Sequence, residues 1–261
     1  MTDDTIRAST ARSEALSTFG LPIAVGVIFL VAWQVAVRTA HIPQVILPAP
    51  TDIIGSFDGI VGVLAHHAWA SGSESFIAFV LATLLGLAVA ILLCTSVLAF
   101  EAIYPHMVLF QLIPKIALAP LFTFWLGIAA PSRLTYATFI SFFPVALATM
   151  TGLARADANA LRLCRALTAR RWQTFFYVQI PYSLPYFFSG AKVAATMAVI
   201  GIVVGEFISA KEGLGYYILY AGSRGETAHI FAAMIVLCAI GLLLYGLTVK
   251  AEQMMQAWWR G

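Results

Sequence analysis

Three ionisable side chains stand inside strongly apolar stretches of this 261-residue sequence: Lys115, Lys192 and Glu206. A charge at the centre of a bilayer costs at least ~2.5 kcal/mol on insertion scales, so each needs a partner, a watery path or a route to the surface. Lys192 and Glu206 are fourteen residues apart. They therefore share one helical face with Thr196, Val199 and Val203, but lie ~21 Å apart along the axis and cannot pair. That stripe faces a transport path or a second protomer; snorkelling of Lys192 to one surface and Glu206 to the other is the alternative. Pro114 and Pro120 flank Lys115 and interrupt its segment. Proline removes a helical hydrogen bond, and the freed carbonyls either line a wet path or sit in an ordinary packed kink. Beside a path, Lys115 would attract an anion.

A second group of residues sits outside the apolar runs. The segment from Arg155 to Pro185 is too polar to span a membrane and rich in helix formers. Asp157 or Asn159 caps a helix to about Leu167, a break covers Thr168 to Arg170, and a second short helix starts at Trp172 and is stopped by Pro181. Trp172, Phe175 and Phe176 beside Arg170 and Arg171 are the side-chain types of a binding hot spot. An interfacial aromatic belt with lipid-facing arginines is the other reading.

The elements that position these residues follow from composition. The chain is 61% hydrophobic and 10% charged, against about 25% charged for a soluble domain. Too few charges exist to coat a water-facing shell, so a bilayer is the solvent for much of the surface. The fold class is all-α integral membrane, with about six transmembrane helices. Spans are predicted at Phe19 to Val37, Glu74 to Val97, Ile103 to Gly127, Leu134 to Leu153, Tyr186 to Ile208 and His229 to Val249. Between the first two, Thr51 caps an amphipathic surface helix that carries Ile53, Ile54, Phe57, Ile60, Val61 and Leu64 and ends near the His66–His67 pair outside the membrane. The expected organisation is a tail over residues 1–18, a transmembrane domain over 19–250 with its loop at 155–185, and a tail over 251–261.

Basic residues fix the expected orientation. One side carries Arg7, Arg12, Arg155, Arg162, Arg165, Arg170, Arg171, Lys250 and Arg260; the other carries Arg38, Arg133, Lys211 and Arg224. Lys and Arg accumulate in cytoplasmic loops, so both termini and the Arg155–Pro185 loop are expected inside. Cys94, Cys164 and Cys238 form no metal or disulfide pattern, and His41, His66, His67, His106 and His229 form no ligand spacing on one helix. No nucleophile stands at motif spacing from a base, and the basic residues serve topology and docking, not nucleic acid. Gly201, Gly205 and Gly241 suit close helix packing. The chain lacks a G-x-x-x-x-G-K-[ST] phosphate loop, so ATP energisation would require another chain.

The basic loop resembles the cytoplasmic coupling motif of binding-protein-dependent ABC importer permeases. Counting back from Pro181, Ile180 and Val178 stand at the hydrophobic-x-Leu positions, Thr168 at the Gly, and Arg162, Leu163 and Cys164 at the Glu-Ala-Ala triplet. The segments LPAPTDII, IPKIALAPLFTFWLGI, SFFPVALATMTGL, LPYFFSGAKVA and GLGYYI resemble, in order, the nitrate, sulfonate and taurine branch, over roughly Pro48 to Ile218. The resemblance implies a permease that pairs as a homodimer in the bacterial inner membrane, binds two cytoplasmic ATPase subunits that carry ATP and Mg, and receives solute from an external binding protein. This chain would bind no cofactor and no metal itself. Arg162, Thr168, Arg171, Trp172, Phe175 and Pro181 would make the ATPase-coupling site. Pro114, Lys115, Thr196 and Glu206 would line the translocation pathway, with Glu206 internal because the family places a carboxylate ahead of its external Gly turn, here Gly213, Leu214 and Gly215. Thr168 in place of Gly implies a different turn, or a hydroxyl cap on the next helix. Arg162 in place of a carboxylate implies an acidic residue on the ATPase. The implied cargo is a small anion such as a sulfonate, taurine or nitrate; an uncharged heterocycle such as a pyrimidine precursor is the alternative. An ion-coupled carrier would show internal repeats, and a membrane-embedded enzyme a convergent polar cluster; neither feature is evident.

Overall fold

The computed structural model describes residues 20–260, with side chains to residue 257. The expected tail over residues 1–18, with Arg7 and Arg12, and the Arg260 side chain lie outside the described residues. In chain order the helices are α1 (Leu21–Thr39), α2 (Pro50–Ser56), α3 (Val61–Thr95), α4 (Val97–Leu112), α5 (Ala119–Leu126), α6 (Ala130–Ala154), α7 (Ala158–Ala166), α8 (Arg171–Thr174), α9 (Ile180–Ser209), α10 (Leu214–Ser223) and α11 (Thr227–Arg260). A 3-10 turn at Lys115–Leu118 precedes α5, and a wide π turn at Phe175–Gln179 joins α8 to α9. Among the described residues there is no strand.

α1, α3, α6, the run Arg171–Ser209 and α11 are each long and apolar enough to cross a bilayer, and α4 with the α5 segment makes a sixth, broken span bent by 97°. This is the all-α membrane architecture that the composition requires; the expected loop over 155–185 is non-spanning only to Arg170, because helix runs from Arg171 into the fifth span, ahead of the expected start at Tyr186.

Several boundaries differ from expectation. The surface helix is cut to Pro50–Ser56: its N-cap is Ala49, not Thr51, and Asp52 accepts from the Ala49 N–H at 3.2 Å. Gly59, at φ +83°, breaks the chain before Val61, a backbone that costs glycine little. Leu64, His66 and His67 consequently belong to α3, whose 35 residues extend ~52 Å. Pro120 does not interrupt a helix. It sits in the first turn of α5, where a missing N–H loses no bond; the break lies at Ile113 and Pro114, both extended in ψ. Pro181 does not stop a helix either. It occupies the first turn of α9, directly after the π turn. α11 continues without a break past Lys250 to Arg260.

The chain divides into two compact units, one of residues up to Val61 with Ala221–Ala232, the other of Gly62–Tyr220 with Ala233 onward. In the first, the Trp33 ring lies 5.6 Å from Phe231, and Arg38 donates to Asp52 at 2.6 Å. The second is organised around α6 and α9, whose backbones nearly touch. A Cβ on Gly190 would fall 2.6 Å from the Pro144 carbonyl oxygen, and one on Gly201 would fall 2.7 Å from Ala137 Cα. Small residues let helices approach where lipid offers no hydrophobic drive for association. Gly205 likewise abuts Arg133, but Gly241 has no neighbour within 4 Å, so the packing role expected of Gly241 is absent from this chain's own contacts. Beside α6, α3 and α4 bury Ala90, Leu93 and Met107 against Phe143, Ala146 and Met150.

Candidate functional site

Two polar regions stand out in the second unit. The first is the loop between the fourth and fifth spans. Asp157 caps α7 by accepting from the Asn159 N–H at 2.9 Å, as expected. The helix ends at Ala166, and Thr168 follows with φ +54°. Thr168 therefore adopts a left-handed backbone of the kind that glycine takes at little cost, and the chain turns at the expected place, with no different turn substituted. The cap of the next helix is not the Thr168 hydroxyl. It is Arg170, whose N–H donates to Gln173 Oε1 at 2.8 Å.

The turn presents apolar side chains outward: Leu163 is 60% exposed, Leu167 69% and Trp172 51%. Phe176 and Tyr177 are exposed as well, and Trp172 lies 6.4 Å from Tyr177. Arg162 and Arg171 are exposed beside them, whereas Phe175 is half-buried against Phe176. Pro181 lines a shallow cavity with Ala160, Tyr177, Val178, Tyr182 and Pro185. The six residues expected to couple to an ATPase thus fall on one segment, and Leu163, Leu167 and Tyr177 add to its exposed surface. Leucines at the end of a basic amphipathic helix were the signal available in the sequence.

The second region lies at the opposite end of α9. Glu206 is 2% exposed. Its Oε1 accepts from Ser71 Oγ at 2.6 Å, and its Oε2 accepts from the Gly215 N–H at 2.7 Å. Ser71 Oγ also accepts from the Leu214 N–H at 2.7 Å, and His67 Nδ1 accepts from the Gly213 N–H at 3.1 Å. Three successive N–H groups where α10 begins are thereby satisfied by three side chains. The glycine at 213 is required twice over: its φ is +105°, and a Cβ there would fall 2.2 Å from Glu206 Oε1. The structure joins Glu206 to the Gly213–Gly215 turn, which sequence reasoning had kept apart.

One turn further along α3, Glu74 holds Arg133 through two hydrogen bonds, from Nε at 2.9 Å and Nη2 at 2.5 Å. Arg133 is 6% exposed, and its Nη1 also donates to the Ser209 carbonyl at 3.4 Å. Sequence reading placed Arg133 in an outer loop and missed the pair, because fifty-nine residues separate the partners. Lys192 does not snorkel unaided either: it pairs with Glu252 of α11 at 2.5 Å.

The four expected pathway residues occupy different settings. Thr196 lines an apolar groove of about 660 Å³ between α9 and α11. Lys115 extends over the Phe143 ring at 5.1 Å, and its backbone carbonyl accepts from Tyr136 at 3.3 Å. Pro114 starts the turn that bears Lys115, and Glu206 is committed to the Gly turn. In the first unit, hydrogen bonds from Arg224 and His229 hold the Glu226 carboxyl below its usual range. Among the described residues no group of three or more His, Cys, Asp or Glu could hold a metal, and Cys94, Cys164 and Cys238 are free thiols.

Five long apolar helices and a sixth, broken pair, with an exposed basic and aromatic loop, define a polytopic membrane protein. Residues 82–253 match the family described as binding-protein-dependent transport system inner membrane component, and the chain belongs to that family of ABC transporter permeases. It is 32% identical to the riboflavin transport system permease protein of Chloroflexus aurantiacus over 92% of this chain and 90% of that one. It is 30% identical to the formylaminopyrimidine transport permease protein of Halalkalibacterium halodurans over 88% and 92%. It is 27% identical to the putative aliphatic sulfonates transport permease protein of Bacillus subtilis over 88% and 84%. The structure of the inward-facing MetNI methionine ABC transporter shares the fold, with a TM-score of 0.65 over 74% of this chain and 96% of that one at 19% identity.

Proposed function

We propose that this permease imports a small solute by alternating access, driven by two separate ATPase subunits that dock on the 155–185 loop. Two copies of the chain would form the translocation unit, both termini would face the cytoplasm, and an external binding protein would deliver the solute. The observation that carries the reading is the Thr168 turn, left-handed at φ +54° and flanked by exposed Leu163, Leu167 and Trp172. Exposed leucines and a tryptophan grouped beside arginines have the make-up of a binding hot spot, which a second protein would cover. Arginines around them suit an acidic groove on the partner, and Arg162 would meet a carboxylate there. ATP and Mg would be bound by that partner.

For the cargo, a small organic or inorganic anion is the first reading. Arg133 and Lys192 are neutralised by Glu74 and Glu252, whereas Lys115, at the break between α4 and α5, has a ring and no carboxylate as its described neighbour. Lys115 at the broken span would then draw an anion inward, along a path that starts at Pro114. Flat heterocycles are the second reading, favoured by the names of the relatives at 30–32% identity.

Trp172→Ala tests the docking reading. Truncating a buried hot-spot Trp costs at least about 2 kcal/mol, a weakening of roughly 30-fold. The variant should insert normally in the membrane but lose both copurifying ATPase and uptake. Undiminished copurification would overturn the assignment of this loop.

A further inference from the structure

The hydrogen bonds around the Gly213–Gly215 turn form a chain whose proton positions are fixed by its ends. Backbone N–H groups can only donate. The N–H of Gly213 therefore requires a lone pair on His67 Nδ1, that of Leu214 a lone pair on Ser71 Oγ, and that of Gly215 a lone pair on Glu206 Oε2. Ser71 then directs its own proton to Glu206 Oε1, so both carboxylate oxygens accept. His67 and Ser71 stand four residues apart on one face of α3, while Glu206 comes from α9. The turn is thus held from two spans at once, with no slack: Gly213 cannot carry a Cβ without striking the carboxylate, and Gly215 has Glu206 Cβ 2.8 Å from where its own Cβ would be.

We propose that His67, Ser71 and Glu206 are positioning residues for transport: they clamp the Gly213–Gly215 turn so that α10 moves only with α3 and α9, and the clamp is complete only while the His67 ring is neutral. A proton on Nδ1 turns the acceptor into a donor facing the donor of Gly213. The surroundings work in both directions. The His66 ring, 5.4 Å away, opposes a second charge, while Glu212, 3.8 Å from His66 Nε2, favours one. Tyr216 and Tyr217 of α10 lie with ring centroids 6.0 and 5.4 Å from His67. Behind them Glu206 is occupied by Ser71 and Gly215, and Arg133 by Glu74. Lys211 stands next to Glu212 in the loop. Of the three side chains that hold an N–H of the turn, His67 and Glu206 can take a proton and Ser71 cannot, and only His67 is changed in the test below. Histidine is the side chain whose charge changes between about pH 5 and 8, and a ring that must accept from the Gly213 N–H resists a proton, so the clamp loosens toward the acid end of that range. The inference rests on the proposed function only for which compartment is sensed, namely the side opposite the ATPases.

The assembled transporter in proteoliposomes, with pH set separately on each side, supplies the test. Amide exchange of residues 213–215 and initial uptake are read in wild type and in His67→Asn, whose Oδ1 is bonded to Cγ as Nδ1 is and keeps an acceptor there that does not titrate. Comparing the two proteins at one pH cancels the intrinsic pH dependence of exchange. The wild-type-to-variant ratio of exchange rates should rise as pH falls, by up to about tenfold per pH unit between the midpoint of a free histidine and that of His67 in the closed clamp, and level off below it, and uptake should fall in wild type alone. These changes should follow acidification of the side away from the ATPases. The same changes tracking the ATPase side would uphold the clamp and overturn the proposed orientation. Parallel pH profiles of the two proteins would overturn the clamp. Should the variant not assemble, wild type decides: turn protection, corrected for intrinsic rates, that stays constant over about pH 5 to 8 also overturns it.

Discussion

Changing Glu74 to Gln removes half of a buried fork. Arg133 is 6% exposed and is held by both Glu74 oxygens, with a third, longer bond to the Ser209 carbonyl. In the variant one oxygen still accepts, but the new NH₂ faces a guanidinium N–H, and a full positive charge is left buried without a counter-charge. Breaking a buried pair by removing one partner costs about 3–5 kcal/mol. The surviving bond places this variant near the lower end, about 3 kcal/mol. Replacing both residues, Glu74→Met with Arg133→Met, removes the stranded charge and should bring the loss back to within about 1 kcal/mol, because apolar replacement of a whole buried pair is often neutral. The assay is reversible unfolding in mixed micelles with rising dodecyl sulfate, followed by tryptophan fluorescence, on wild type, Glu74→Gln, and the cycle of Glu74→Met, Arg133→Met and their double. The cycle should show a coupling of about 2 kcal/mol or more, well outside the ~0.5 kcal/mol expected of independent sites. Additive single changes, or a Glu74→Gln cost below about 1 kcal/mol, would refute the reasoning that this pair is dry and closed.

Two further outcomes test the proposed pathway and the loop. Lys115→Met should reduce uptake of an anionic solute severalfold without reducing assembly with the ATPase, and equal uptake would remove Lys115 from the path; competition by heterocycles but not by sulfonates would favour the second cargo reading. Thr168→Gly should relieve a left-handed backbone that costs a β-branched residue of order 1–2 kcal/mol, offset in part by glycine's greater unfolded freedom. Its expected signature is ATPase association at least as tight as in wild type, measured by titration in nanodiscs, whereas a loss of association would show that the threonine methyl or hydroxyl itself makes the contact.

Span number and loop position were legible in the sequence because both depend on local composition. Apolar runs of about twenty residues have few alternatives to crossing a bilayer, and the cap at Asp157 and the turn at Thr168 are set by side chains within a few positions of each other. The stretch from Thr51 to Leu64 shows where that logic stops: apolar spacing continued across Gly59, but the helix did not, since a single left-handed residue resets the axis. Pro120 and Pro181 mark the same limit. Proline in a first turn and proline in a helix middle look alike in sequence, and only the location of the helix start separates them.

The sequence by itself determined that the chain lives in a membrane, crosses it about six times, and carries one basic, aromatic loop after its fourth span. It also singled out Glu206 and the Gly213–Gly215 turn, nine residues or fewer apart. What tertiary structure decided was the partner of each buried charge: Glu74 for Arg133, Glu252 for Lys192, and Ser71 with the turn amides for Glu206. Those partners lie 59, 60 and 135 residues away in the chain for Arg133, Lys192 and Ser71–Glu206 respectively. Burial cost is readable from composition, whereas the group that offsets it is a matter of which helices pack together, and no local pattern encodes that.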